Sequence, residues 1–259
     1  MRALRGHGKL FALAVCLVVL GLGSGASRAE FVQSGKLLVS FDAAISPTKL
    51  PRDHLVPIKA AFAGSFERLD ATDTPPLQTM QIRLSRGGSI VSQGLPRCSE
   101  ANLRERSSSE ALAACRRALV GEGTVRSALR FPDGRRQRST SKLLLFNASN
   151  KIIMHIYAAK PLRGTFLVPM TIRRGSGGFA TVLDARFPPI AAGYGYLTGF
   201  QMVIERTYSY RGERRSYLLA SCPAPQGFPK VSFELARVAY DFGDGTVIRT
   251  AAIRSCRVR

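Results

Sequence analysis

Short runs of alternating apolar and polar residues cover most of the chain and predict β-strands. The densest run, 142–173, is interrupted at 147–150 and at 160–161, and it therefore predicts three strands joined by tight turns. The middle strand is apolar on both faces, which predicts a place near the centre of a sheet. The third strand alternates instead, which predicts one buried face. Its apolar positions are Leu162, Phe166, Val168, Met170 and Ile172.

About a dozen such runs, separated by short turns, predict an all-β fold, an antiparallel β-sandwich with one short helix. The helix is indicated by a capping box, in which Glu110 follows Ser107 by three residues, and we expect it to end by Gly121. A single helix among strands is typical of a lid over a sheet edge or over the end of a sandwich. One long strand is predicted over 200–210. A change of apolar parity within 231–242 predicts a β-bulge.

The first 29 residues have the pattern of a secretory signal peptide. A basic start precedes a short apolar run at 10–22 and a small-residue end at 24–29, which predicts cleavage after Ala29. A retained anchor is the alternative, but a spanning helix needs about 20 apolar residues. We therefore expect a secreted or cell-envelope-associated protein without a transmembrane segment after removal of the signal. Residues 30–259 are predicted to form one domain, with two β modules divided near 131–141 as the alternative.

Four cysteines remain after the signal is removed: Cys98, Cys115, Cys222 and Cys256. An even number in an exported chain predicts two disulfides. Three pairings are possible, and we favour nearest neighbours because each pair then lies within one local unit. A metal site is a weaker interpretation, since there is no Cys-x-x-Cys and only two histidines remain. We expect neither a metal nor a cofactor.

The charge of the chain favours anionic partners. Four of the 38 basic residues lie in the predicted signal, so the mature chain has 34 basic against 17 acidic residues, a formal charge of +17. Such a charge favours cell-wall polymers, acidic polysaccharide, nucleic acid or anionic lipid. Among these we expect an anionic cell-envelope polymer and no specific nucleic acid. The 30 Arg against 8 Lys are also typical of a GC-rich genome, so the charge alone does not establish binding.

Several phrases together resemble a group of exported, β-rich proteins of high-GC actinobacteria. The phrases are GLPRC at 94–98, CRRALVGEG at 115–123, LLLFN at 143–147, GYLTG at 195–199, SYLLASCPAPQGFP at 216–229 and CRVR at 256–259. The resemblance implies export, β structure and paired cysteines, and it implies no activity.

The phrase YDFGDGT at 240–246 also looks like the signature of polycystic-kidney-disease repeats. It covers one hairpin only, and we interpret it as a strand–turn–strand.

Catalytic motifs are absent from the sequence. There is no Gly-x-Ser-x-Gly, no His-Glu-x-x-His and no phosphate-binding Gly-x-x-x-x-Gly-Lys. His155 lies in an apolar strand, which is typical of a packed histidine, and His54 lies in a turn beside Asp53. No catalytic residue is therefore assigned. A carboxylate pair for glycoside hydrolysis would have to be assembled in space. The available carboxylates are Asp184, Glu205, Asp241 and Asp244.

The best sequence candidate for ligand contact is the Arg- and Tyr-rich stretch 208–217. Guanidinium groups bind phosphate and carboxylate, and tyrosine rings stack on sugars or bases. Tyrosines on the glycine-containing loop near 194–196 could add a second face. The structural alternative is a solvated hairpin tip and a core-packed tyrosine strand, because Tyr208 and Tyr210 continue the alternation of Phe200 and Met202. The candidate binding residues are Tyr194, Tyr196, Tyr210, Arg211, Arg214, Arg215 and Tyr217.

Three functional hypotheses follow. The first is a non-enzymatic exported β-sandwich protein that binds an anionic component of the cell envelope. The second is an extracellular hydrolase, which requires a pocket on which His54, His155 or two carboxylates converge. The third is a structural surface module without a ligand. The sequence leaves the ligand and the oligomeric state open.

Overall fold

The computed structural model describes residues 29–161 and 163–259, so residues 1–28 of the predicted signal peptide and Leu162 lie outside the described residues. The described chain is built almost entirely of strands, with one α-helix and two short 3-10 helices, at Arg116–Ala118 and Ala191–Gly193. The strands and the helix are β1 (Glu30–Ser34), β2 (Leu37–Ser46), β3 (Lys49–Leu50), β4 (Val56–Pro57), β5 (Lys59–Arg68), β6 (Leu77–Ser85), β7 (Gly88–Ile90), α1 (Ser108–Cys115), β8 (Leu119–Arg130), β9 (Arg136–Ala148), β10 (Lys151–Ala158), β11 (Gly164–Arg174), β12 (Phe179–Arg186), β13 (Gly195–Ile204), β14 (Thr207–Tyr210), β15 (Glu213–Ser216), β16 (Leu218–Ala220), β17 (Lys230–Phe242) and β18 (Val247–Val258).

Thirteen strands form one large sheet in the order β1-β2-β5-β13-β8-β9-β10-β11-β12-β6-β17-β18-β3. Its neighbours are antiparallel except for the short β18–β3 pair. The predicted all-β, antiparallel fold with one short helix is therefore confirmed. The apolar strand β10 stands seventh of the thirteen, at the centre, as its two apolar faces predict. Strands from both sides of 131–141 contribute to this sheet, since β5 pairs with β13 and β6 lies between β12 and β17.

The large sheet curls so that its two halves face each other across one apolar core. Phe66 on β5 contacts Tyr240 and Phe242 on β17, with ring centroids 5.2 and 5.7 Å apart, although these strands are far apart in the strand order. The outer strands also approach each other. The Glu30 carboxylate of β1 accepts hydrogen bonds from the backbone N–H groups of Ala251 and Ile253 on β18. The sandwich is thus made from a single curled sheet.

The helix covers the outer face of the sheet's centre. Its capping box is formed as predicted, with the Ser107 hydroxyl accepting from the Glu110 backbone N–H and the Glu110 side chain accepting from the Ser107 backbone N–H. Ala111 and Cys115 are buried against β9 and β10 in a second, smaller core. The expected position over an edge or an end of the sandwich is therefore wrong. The physical reason is that β9 and β10 carry apolar residues on their outer face too, and that face has to be covered.

The strand predicted over 200–210 is two strands in different sheets. β13 ends at Ile204, and β14 pairs with β15 in a separate two-stranded hairpin. Between them, the Arg206 carbonyl accepts a hydrogen bond from the Tyr217 N–H, so the chain leaves the large sheet there. Apolar residues continue at even-numbered positions on both sides of this break, so the alternation in the sequence does not reveal it. The bulge predicted in β17 is present, as a register shift between Glu234 and Ala236.

Two disulfides join Cys98 to Cys115 and Cys222 to Cys256, each with 5.7 Å between the Cα atoms. This is the nearest-neighbour pairing. The first disulfide ties the helix to the segment before it, and the second ties β18 to the loop after β16. In the part of the chain that the structure describes, no helix has the length and apolar character needed to cross a membrane.

Candidate functional site

The Arg- and Tyr-rich stretch forms the exposed hairpin β14–β15. The Tyr210 ring lies beneath two guanidinium groups. The Cζ atoms of Arg211 and Arg215 are 5.3 and 4.9 Å from the centroid of the ring. Arg215 also donates to the Gln93 and Glu213 side chains, at 3.1 and 3.0 Å. Arg214 is exposed. Arg215 is thus held within the hairpin and by its neighbour Gln93.

Three predicted tyrosines lie away from that hairpin surface. Tyr217 is fully buried in the main core, and burial raises the pKa of its hydroxyl. Tyr194 is exposed, whereas Tyr196 is buried and donates its hydroxyl to Asp73 at 2.7 Å. Tyr194 and Tyr196 stand at the start of the ten-residue β13, and the hairpin follows its end, about 30 Å away at strand geometry. The structure does not bring the two predicted faces together.

The two histidines occupy sites unlike a catalytic pair. His155 is fully buried, and its Nε2 lies 2.9 Å from the Arg106 carbonyl, to which it donates. Burial lowers the pKa of His155, and the hydrogen bond to Arg106 opposes this only in part. His54 is exposed and contacts the adjacent Asp53 at 2.9 Å. His155 therefore supports the helical cover, and His54 lies on open surface.

Two of the four candidate carboxylates share one surface. Glu205 pairs with Lys59 at 3.1 Å, and Asp244 accepts from the Thr246 N–H in the β17–β18 turn. Asp184 on β12 and Asp241 on β17, by contrast, both line a polar groove of about 570 Å³ on the outer face of the sheet. The groove runs across β11, β12, β6, β17 and β18.

Strand register explains how the sequence builds this groove. Because side chains alternate between faces, residues in register on neighbouring strands project from the same side. One row across five strands contains Thr171, Asp184, Gln81, Ala239 and Arg249, and the adjacent row contains Arg186, Thr79, Asp241 and Val247. We call this surface the arginine-flanked groove, because Arg186 and Arg249 stand at its opposite corners.

The floor of the groove is a set of hydrogen-bonding side chains. Asp184 accepts from the Gln81 amide at 2.8 Å and from Arg173 Nε at 2.7 Å. Asp241 is exposed, and its Oδ2 accepts from the Thr79 hydroxyl at 3.0 Å. Each carboxylate has about four acceptor positions, so both retain capacity for a ligand's donors.

The corners of the groove are cationic. Arg186 and Arg249 are exposed, and within residues 29–161 and 163–259 no carboxylate lies at salt-bridge distance from either. Next to the floor, the guanidinium groups of Arg83 and Arg237 lie 4.6 and 5.2 Å from the Phe179 ring centroid. Arg237 is paired with Glu234, so Arg83, Arg186 and Arg249 are the cations set against the two carboxylates of the groove.

The spacing of the two carboxylates bears on hydrolysis. Asp184 and Asp241 are two strands and two residues apart, which places their backbones about 12 Å apart. Glycoside hydrolases hold their two carboxyl groups about 5–5.5 Å apart when they retain the anomeric configuration and about 6.5–9.5 Å apart when they invert it. Both side chains reach toward β6 between them, where Asp184 accepts from Gln81 and Asp241 accepts from Thr79. Their carboxyl groups therefore lie closer together than their backbones, and the spacing does not separate binding from hydrolysis.

The interior offers little room for a ligand. Two apolar cavities of about 50 Å³ each lie at opposite ends of the main core. Pockets for small-molecule ligands are usually about 300–1,000 Å³. No group of three or more His, Cys, Asp or Glu side chains among the described residues could hold a metal ion. Comparisons with protein-family models, with curated proteins and with solved structures found no match.

Sequence reasoning named Asp184 and Asp241 but missed the groove. The signal in the sequence is a polar or charged residue at every second position of several strands, as at Thr79 and Gln81, or Asp184 and Arg186. That alternation marks an outer face. It cannot show which strands are neighbours, because β6 lies far from β12 and β17 in the chain and pairs with both.

Proposed function

We propose that this is an exported, non-enzymatic protein that binds an anionic polymer of the cell envelope through the arginine-flanked groove. The observation that carries the proposal is the pair of exposed arginines, Arg186 and Arg249, which have no carboxylate partner in the described chain and border a polar groove. A guanidinium fork binds phosphate or carboxylate in a bidentate way. The formal charge of +17 on residues 30–259 attracts such a polymer at long range.

The groove supports the proposal better than the β14–β15 hairpin does. In the hairpin, Arg215 is already bound to Glu213 and Gln93 and Arg211 lies over Tyr210, which leaves Arg214 as its exposed cation. A ligand there would have to displace these contacts. In the groove, the corner arginines are available and the floor offers both donors and acceptors.

The hydrolase hypothesis has less support. Asp184 and Asp241 share a groove, but each already accepts a hydrogen bond from a neighbouring side chain on β6, and no histidine is among the described residues that line the groove. His155 is buried and already hydrogen-bonded. We therefore expect a bound glycan to be recovered uncut after prolonged incubation, and release of shorter fragments would favour the hydrolase instead.

The test is retention of the oxidised mature protein on isolated cell envelope across a salt gradient. The groove variant is R186A/R249A, and the matched control is R104A/R116A, which removes the same charge from exposed positions on the helical cover. We expect the groove variant to elute at clearly lower salt than the wild type. The logarithmic salt slope should fall by about one unit for each arginine that contacts an anion.

The control variant should elute close to the wild type. Equal losses in both double variants would mean that bulk charge alone causes retention, and the proposal would be rejected. Absence of binding at both low and physiological salt would reject it as well.

A further inference from the structure

The floor of the groove indicates the chemical class of its ligand, and this inference rests on the proposed function. Between the corner arginines lie Asp241 and Asp184, with Thr79, Gln81 and Thr171 around them. A polymer that carries only phosphates along its length would place negative charge above these carboxylates, which is unfavourable at short range. A ligand with hydroxyl donors between its anionic groups would match them.

The remaining lining of the groove argues against single-stranded nucleic acid as the ligand. Its apolar side chains on the outer face are Pro169, Ala239 and Val247, since Met80 and Ala185 are buried in the main core, and none of its lining residues is aromatic. Binding of single-stranded nucleic acid relies on aromatic side chains that stack on bases.

The distance between the corner arginines sets a length scale. Arg186 on β12 and Arg249 on β18 are three strands and two residues apart in register. At ordinary strand spacing their backbones are about 16 Å apart. A short stretch of a polymer spans this distance.

We infer that the arginine-flanked groove binds an anionic glycan whose sugars keep free hydroxyl groups. Arg186 and Arg249 bind its acidic groups, and Asp241 and Asp184 accept hydrogen bonds from hydroxyls of the sugars between them. The Oδ1 atom of Asp241 is the most available acceptor, because Asp241 is exposed and the Thr79 hydroxyl engages only Oδ2. The groove thereby distinguishes a hydroxylated polyanion from a simple polyphosphate.

The experiment compares two probes at equal charge concentration, polygalacturonate and inorganic polyphosphate, on the oxidised mature protein. The test variant is Asp241→Asn, which keeps the shape of the side chain and removes its charge. Asp184→Asn is a second variant that should act in the same direction. Asp53→Asn is the matched control, because Asp53 is an exposed aspartate on a loop outside the groove.

We expect the wild type to bind polygalacturonate more tightly than polyphosphate. Asp241→Asn should weaken polygalacturonate binding about threefold to tenfold, because a hydrogen bond to the neutral amide oxygen is weaker than one to the carboxylate. The same variant should leave polyphosphate binding unchanged or strengthen it, since a repulsive charge is gone. Asp53→Asn should change neither. Unaltered thermal unfolding would show that the variants are folded.

Two results separate this inference from the proposed function. If Asp241→Asn leaves polygalacturonate binding unchanged, or strengthens binding of both probes equally, the carboxylate only repels anions and the inference is overturned. The proposed function still stands in that case if R186A/R249A weakens binding. If the wild type binds neither probe, or if R186A/R249A binds both as the wild type does, the groove is not the binding surface and both fail.

Discussion

The contact between Phe66 and Phe242 provides a direct test of the curled sheet. Phe66 is 2 % exposed, and truncation of a buried Phe to Ala costs about 3–5 kcal/mol of unfolding free energy. Its ring meets that of Phe242 at 5.7 Å and 78°, an edge-to-face arrangement. Such a pair contributes about 0.5–1.5 kcal/mol beyond the burial of its area. Since the two residues lie on β5 and β17, this coupling exists only if the two halves of the sheet face each other.

The assay is a double-mutant cycle in urea, with both disulfides oxidised. We expect F66A and F242A to show a coupling of about 0.5–1.5 kcal/mol. The control cycle pairs F66A with F146A, because Phe146 is equally buried but belongs to the second core beneath the helix. That cycle should be additive within about 0.5 kcal/mol. Additivity in the first cycle would refute the facing of β5 and β17.

Three further predictions concern stability. The pKa of His155 is lowered by burial, so the unfolded chain binds more protons and stability should fall as pH drops below about 6.5. H155Q, which keeps a donor for the Arg106 carbonyl, should reduce this pH dependence in denaturant titrations at pH 5 to 8. Replacing Cys222 and Cys256, which are 34 residues apart, by Ser should lower the free energy of unfolding by about 3.8 kcal/mol. The same replacement at Cys98 and Cys115, which are 17 residues apart, should lower it by about 3.1 kcal/mol, and urea unfolding measures both. D73N weakens hydrogen bonds that Asp73 accepts from Arg130 and Tyr196 and should lower stability by about 1–3 kcal/mol.

Local patterns predicted those parts of the fold that depend on local physics. The apolar faces of β10 predict its central place, and the Ser107–Glu110 spacing predicts the start of the helix. Both follow from residues only a few positions apart. The cysteines also pair with their nearest neighbours in the sequence, at separations of 17 and 34 residues.

Parts of the fold that depend on distant partners could not be read from the sequence. Parity of apolar residues continues from β13 into β14, yet the chain changes sheets near Arg206 because Tyr217 pairs with it there. The spacing of apolar residues in the helix predicts which side of the helix is buried, but it does not predict which surface of the sheet the helix covers. In both cases the deciding contact comes from a residue that periodicity does not identify.

The candidate site shows the same limit. Arginines and tyrosines at 208–217 stand out because they are adjacent in sequence, whereas Arg186 and Arg249 are brought to one surface only by the strand order. Three of the sequence candidates have other surroundings: Tyr217 and Tyr196 are buried, and Tyr194 lies at the far end of β13. Single residues could be named in advance, but their assembly required the topology.

The central claim is that an anionic glycan binds at the arginine-flanked groove, and arginine side-chain NMR tests it most directly. Polygalacturonate would be titrated into the mature protein while the Nε–H signals of its arginines are followed, with assignment by single substitutions. The account predicts saturable shifts at Arg186 and Arg249 and none at Arg211 or Arg214 of the β14–β15 hairpin. Shifts confined to the hairpin, or small shifts spread over all exposed arginines, would contradict it.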